Sequence, residues 1–233
     1  MRASWRQLGD LKEKKVLKQG LYNRLSDEYL NHSFKLIRSK GLFQRAEFAV
    51  HWGGPVVYSD SLNFQPRLSV NNKIIFDVLS IIFPHAKNLT IFKVQGCELA
   101  KEMGVPNEEK DEEVFYKVEN SEDFKSVVDD HMGYMEKVGF KFFDKLASLE
   151  GVNDFINRRI LEGDNDYFKS KNQQASLKKF FDKREVLSGV TSAYLTNSPK
   201  KNVLLERYRI LFEGNDYILS DVQKIEDHFT KIS

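Results

Sequence analysis

Between Arg45 and Val70 oily and polar residues take turns along the chain. In SLNFQPRLSV, Leu62, Phe64, Pro66, Leu68 and Val70 fall on one side, and Ser61, Asn63, Gln65, Arg67 and Ser69 on the other. In LFQRAEFAVHW, Ala46, Phe48, Val50 and Trp52 alternate with Arg45, Glu47, Ala49 and His51. Side chains on a strand point to opposite faces in turn, so this pattern predicts half-buried strands. Strands with one oily face need cover on that face only, which suits an antiparallel sheet. Pro66 cannot donate to a ladder and predicts an edge or a bulge. The intervening Gly53-Gly54-Pro55 leads into Val56-Val57-Tyr58. A phosphate-cradling loop runs into a helix and carries a Lys-Ser or Lys-Thr pair. Neither is present, so the stretch predicts a hairpin bend.

Elsewhere the period becomes helical. Leu17, Leu21, Leu25, Phe34 and Ile37 predict a helix from Val16 to Lys40, capped by Gly41. Ile74, Ile75, Val78, Leu79, Ile82 and Phe83 predict a second, stopped by Pro84. Residues 88–94 and 113–118 predict two more strands, separated by an acidic loop. Ser121 predicts the start of a long helix through Val127, Val128, Met135, Val138, Phe142 and Leu149, with Gly133 and Gly139 as kink positions. Helices are expected at 153–161, about 172–195, about 199–213 and about 220–231, with Ser198-Pro199 and Ser220 as starts and Gly214 as a stop. LEGDNDYFKS and FEGNDYILSD echo one another, as two turns of similar composition do.

The expected fold class is α+β. An antiparallel sheet of about four strands is covered by helices on one face and followed by a helical C-terminal region. Residues 1–15 are expected as a flexible arm, 16–150 as the α+β domain and 151–233 as helices packed on it. With 18 Phe and 9 Tyr in 233 residues there is enough apolar surface for a sizeable core. The 36 basic and 34 acidic side chains nearly cancel, which argues against a nucleic-acid wrapper. Cys97 is the single cysteine, so no internal disulfide can form, as in a reducing compartment. No signal-like or membrane-length apolar run is present. These features lead to the expectation of a cytoplasmic protein with no membrane partner.

Catalytic patterns are missing from the sequence. His32, His51, His85, His131 and His228 show no metal-ligand spacing, and Asp129-Asp130-His131 on a helix cannot face one ion. His131 falls on the oily stripe and predicts a core histidine. Asp164-Asn165-Asp166 lacks the glycine and glutamate of a calcium loop. There is no Gly-x-Ser-x-Gly elbow, and nothing near Cys97 activates it. No catalytic residue, metal or cofactor is therefore expected. The polar side of the strands presents Arg45, Glu47, His51, Gln65 and Arg67. Interfaces favour Trp, Tyr and Arg anchors. The candidate binding residues are His51, Trp52, Tyr58, Arg67 and Glu47, and the expected partner is another protein. Two alternatives stay open: an enzyme using His51, Glu47 and Arg67, and nucleic-acid binding through Lys178, Lys179, Lys183, Arg184, Lys200 and Lys201.

The order of SKGLFQRAEF, NFQPRLSV, VGFKFFDKL and GVNDFINRRI resembles a bacterial family catalogued as domain of unknown function 4304. The likeness spans roughly Leu21 to Ile160. It implies an α+β fold of the bacterial cytoplasm and brings no activity or catalytic residues. A non-catalytic interaction protein, of immunity or adaptor type, fits these features together.

Overall fold

The structure, a computed structural model, describes residues 5–52, 56–57, 61–85, 91–94, 97–105, 115–162, 174–175, 178 and 181–232. It is α+β, with two antiparallel arrangements of strands and a helical C-terminal region. Two compact units emerge. The first joins Met1–Val70 to Phe92–Phe143, and the second joins Asn71–Ile91 to Asp144–Ser233. The helix after the sheet therefore groups with the C-terminal helices, not with the 16–150 segment.

The first unit opens with α1 (Trp5–Asn31), which begins inside the expected arm. It also stops well short of Gly41. Ser33 takes φ 64°, the left-handed region. The Ser33 N–H donates to Leu30 O at 3.0 Å and the Phe34 N–H to Tyr29 O at 3.0 Å. This is a Schellman closure with serine where glycine is usual. Its customary oily contact is present as well, with the Tyr29 and Phe34 rings 5.4 Å apart. Phe34 and Ile37 continued the helical spacing by coincidence. Gly41 instead turns, at φ 59°, after a short 3-10 segment, Arg38–Lys40.

Next come β1 (Lys35–Ile37), β2 (Leu42–Arg45), β3 (Phe48–His51), β4 (Val56–Val57), β5 (Leu62–Phe64) and β6 (Arg67–Val70). With β7 (Ile91–Val94) and β8 (Tyr116–Val118) they form a five-stranded sheet, β1-β2-β3-β6-β7, and a three-stranded one, β4-β5-β8. Each predicted ribbon proves to be two strands. LFQRAEFAVHW folds on itself at Ala46-Glu47, with Arg45 facing Phe48 and Ala46 at φ 49°. SLNFQPRLSV breaks at Gln65-Pro66, where the chain leaves one sheet for the other. The missing Pro66 donor marks this break rather than an edge or bulge. The expected bend at Gly53-Gly54-Pro55 lies outside the described residues.

The register sorts the five-stranded sheet into two faces. Leu36, Phe43, Val50 and Leu68 lie in one row, and Arg45, Phe48 and Val70 in the next. Phe43, Val50 and Leu68 are fully buried. Tyr29 of α1 stacks on Phe43 at 4.5 Å, and Phe143 packs 5.1 Å from Phe48. Burying rings of this size contributes about 2–3 kcal/mol each.

After β7 come α3 (Cys97–Glu102), β8 and α4 (Asp123–Tyr134). Ser121 does not cap α4. Asp123 reaches back instead, its carboxylate accepting from the Glu119 N–H at 2.7 Å and the Asn120 N–H at 3.0 Å. These two bonds hold its pKa below the ordinary carboxylate value. The helix widens to a π-segment at Met135–Gly139 and resumes as α5 (Phe140–Leu146). A Cβ on Gly139 would sit 2.5 Å from the end of the Met135 side chain, so any larger residue there would make that methionine move.

The second unit holds α2 (Lys73–Ile82), α6 (Leu149–Glu162), α7 (Lys183–Leu195), α8 (Lys201–Leu211) and α9 (Asp216–Ile232). Asn72 caps α2 by accepting from the Ile75 N–H at 3.3 Å. Asp182 and Glu185 form a capping box on α7. Gly214 turns at φ 78° before α9, which starts at Asp216 rather than at Ser220. α7 is buried from Glu185 to Ala193. Its Gly189 admits Asn157 of α6: a Cβ there would lie 2.5 Å from Asn157 Oδ1. Of the echoed pair of turns, most of the first lies outside the described residues.

Candidate functional site

The sheet face opposite the oily one comprises two cross-strand rows. One holds Lys35, Gln44, Ala49 and Ser69, and the other Ile37, Leu42, His51 and Arg67. Lys35, Gln44 and Arg67 are exposed, His51 and Ile37 half-buried, and Leu42, Ala49 and Ser69 buried. His51 and Arg67 are therefore direct partners across β3 and β6, as two candidate residues on one face should be.

His51 Nε2 and Ser69 Oγ are 2.7 Å apart, and the Ser69 hydroxyl lies 3.4 Å from Ala49 O. The contact suits either ring tautomer, because the serine hydroxyl can donate to the imidazole or accept from it. Ser69 is only 3% exposed, which closes it to a substrate. Partial burial first, and the Arg67 charge second, hold the His51 pKa below the ordinary histidine value. Both causes favour the neutral form of the ring.

The other candidates part company. Glu47 is exposed, but it sits in the Ala46-Glu47 turn at the far end of the strands from His51 and Arg67. Arg45 is on the oily face at its margin, because it pairs with Phe48. Its guanidinium lies 5.0 Å from the Phe34 ring and 5.5 Å from the Phe48 ring. Such contacts contribute about 0.5–1 kcal/mol where water reaches them. Gln65 is half-buried at the break between the sheets. Tyr58 lies outside the described residues.

Trp52 is no surface anchor; it is 1% exposed. The strand ends at His51, so the alternation no longer governs the next residue. The Trp52 ring turns inward, 5.5 Å from Tyr116 and 4.6 Å from His131. Its backbone is held at both ends, with the N–H donating to Gly41 O at 2.8 Å and the C=O accepting from Tyr22 at 2.7 Å. His131, fully buried as its stripe position predicted, meets the Tyr29 hydroxyl through Nε2 at 2.5 Å. Its Nδ1 and the Trp52 indole N–H have no hydrogen-bond partner among the described residues. Burial pushes the His131 pKa down to about 3. It pushes Tyr29 well up, with Tyr116 adding to the rise and the neighbouring Trp52 opposing it. The opposition reflects proximity, since the indole N–H does not meet Tyr29 in hydrogen-bond geometry. This box is a core device that spans α1, the end of β3, β8 and α4.

The chain matches no family model, no curated protein and no solved structure.

Among the C-terminal cations proposed for nucleic acid, several are already engaged. Lys183 pairs with Asp221 and lies over the Tyr217 ring, Arg184 pairs with Asp182, and Lys201 sits 4.4 Å over Tyr194. Lys178 and Lys200 are exposed, and Lys179 lies outside the described residues. No helix among the described residues is long and apolar enough to cross a membrane. The sequence pattern passed over Ser69 and the turn cations Arg38 and Lys40. Ser69 matters through its pairing with Ala49, and Arg38 and Lys40 had been absorbed into a helix end.

Proposed function

We propose that the chain is a non-catalytic binding protein of the bacterial cytoplasm, of immunity or adaptor type. It contacts another protein through the polar face around His51, Ser69 and Arg67. The observation that carries this is the His51–Ser69–Ala49 relay. It ties His51 Nε2 and the Ser69 hydroxyl to one another within the face, and Lys35, Gln44 and Arg67 stand exposed beside them to meet a partner. The likeness to domain of unknown function 4304 belongs to the same proposal. A photo-crosslinking residue placed at Gln44, on the face, tests it against the same residue at Glu28, exposed on α1. In extract of the native cell, position 44 gives a discrete crosslinked protein that disappears in Arg67→Glu, and position 28 does not. Equal crosslinking from both positions, or none, removes the reading.

A second reading, an enzyme on the same face, draws on the 2.7 Å His51–Ser69 contact. A fluorophosphonate probe separates the two. Labelling of Ser69 that is lost in His51→Gln favours the enzyme, and an unlabelled Ser69 leaves binding in place.

A further inference from the structure

We infer that the partner surface meeting this face is rich in carboxylates; the inference rests on the binding reading above and names the chemistry of what binds. The row Ile37, Leu42, His51, Arg67 is the end of the sheet at which β1 passes to β2 through Arg38–Lys40. Arg38, Lys40 and Arg67 thus share one end of the sheet, Arg67 and Lys35 in the two rows of the polar face and Arg38 and Lys40 in the turn beside them, and all four are exposed. Arg38 Nη2 donates to Asn23 Oδ1 at 2.9 Å, a neutral acceptor that leaves its charge uncompensated. Arg67, Lys35 and Lys40 form no ion pair among the described residues. No Asp or Glu stands in either row of the face, and Glu47 is at the opposite end.

In a chain of net charge +2 this is a local excess, not a general one. Opposed potentials of this kind speed encounter and fix orientation. A protein surface fits better than RNA or DNA. Single strands are held by aromatic platforms. Among the described residues the rings of this region, Phe43, Phe48 and Trp52, are buried, and the one ring in the two rows, that of His51, meets Ser69.

The test uses the full chain and fluorescently labelled poly-L-glutamate, with poly-uridylate as the second probe, at about 50 mM and about 200 mM salt. Poly-glutamate binds at the lower salt. Arg38→Glu/Lys40→Glu/Arg67→Glu weakens it at least about tenfold, and the neutral Lys40→Gln/Arg67→Gln falls between. The control Lys125→Glu/Lys200→Glu/Lys231→Glu, exposed elsewhere, stays within about twofold. Melting curves of each variant show that it is folded. Three results overturn the inference: no poly-glutamate binding at low salt, equal loss in the control, or tighter poly-uridylate binding through the same three residues. If position 44 still crosslinks a protein in an Arg67-dependent way, only the acidic chemistry falls. If it does not, the binding reading falls too.

Discussion

Each unit buries a polar side chain at its centre, and the two are treated differently. In the second unit, Asn157 is fully buried and fully satisfied. Its Nδ2 donates to Asn153 Oδ1 and to Gly189 O, both at 2.9 Å, and its Oδ1 accepts from Tyr208 at 2.9 Å. In the first unit, His131 is fully buried and half satisfied: Nε2 meets Tyr29 and Nδ1 meets nothing among the described residues. An amide cannot titrate, so the Asn157 network holds at any ordinary pH. An imidazole can, and its environment of Tyr29, Trp52 and Tyr116 offers no carboxylate contact to a proton. Tyr116, which lines this box, has its pKa raised by burial, then by Asp130 and Tyr134. The polar group at each centre therefore specifies packing, but of these two only His131 also makes stability depend on acid.

The largest effect is expected at the satisfied centre. Gly189→Ala drives a methyl group into Asn157 Oδ1 and, at 2.7 Å, the Tyr208 hydroxyl. It should cost about 2–4 kcal/mol in urea denaturation, through overpacking and a broken network. Tolerance of alanine there would mean that the centre is looser than the His131 box.

Acid comes second and separates the units. His131 has a folded pKa of about 3 against an ordinary 6.5. Its folded value is depressed, so between these the unfolded chain binds the extra proton. The stability is fully present above about pH 6.5 and drains as pH falls toward 3, by about 1.4 kcal/mol per unit. At pH 5 the loss is about 2 kcal/mol. Hydrogen exchange at pH 7.5 and 5, corrected for intrinsic rates, should show weakened protection in α1 and α4 and little change in α6 and α7. His131→Phe should abolish the difference, and a pH-independent wild type would remove the argument.

Deleting one hydroxyl from each centre sharpens the contrast. Tyr29→Phe leaves His131 Nε2 without its hydroxyl partner, and Tyr208→Phe leaves Asn157 Oδ1 without its donor. Each should cost about 1–3 kcal/mol at pH 7.5, the penalty of a stranded buried group. Thermal melts compare them, and a loss under about 0.5 kcal/mol for either would show that its hydroxyl is not needed.

The smallest effect concerns helix ends. The first unit closes α1 with Ser33 at φ 64°, and the second turns before α9 with Gly214 at φ 78°. Ser33→Gly should stabilise by up to about 1 kcal/mol and Gly214→Ala should cost about 1 kcal/mol. The Gly214 methyl group would meet no atom within 4 Å, so any cost there is backbone strain alone. Equal and neutral results in denaturant titrations would show that neither position is strained.

Legibility in the sequence followed distance along the chain. The α+β order was readable because periodicity is local: Ile75 and Leu79 recur every helical turn, and Phe48 and Val50 every second residue. His131 was readable as core from its neighbours Val127 and Met135. Strand ends were not. Ala46-Glu47 carries no glycine, so the hairpin inside LFQRAEFAVHW left no turn signal, and Arg45 was assigned to the wrong face. Ser33 hid the end of α1 for the same reason. Trp52 stood one residue beyond β3, where alternation ceases to apply.

By itself the amino-acid order determined which stretches bend, coil or extend, and which side of each is oily, because those follow from neighbours a few residues away. Tertiary structure alone decided that Trp52 joins His131 across 79 positions of chain, that His51 meets Ser69, and that Arg38, Lys40 and Arg67 come to one end of the sheet. Those meetings depend on strand register and on where turns fall, and a shift of one residue would exchange the faces.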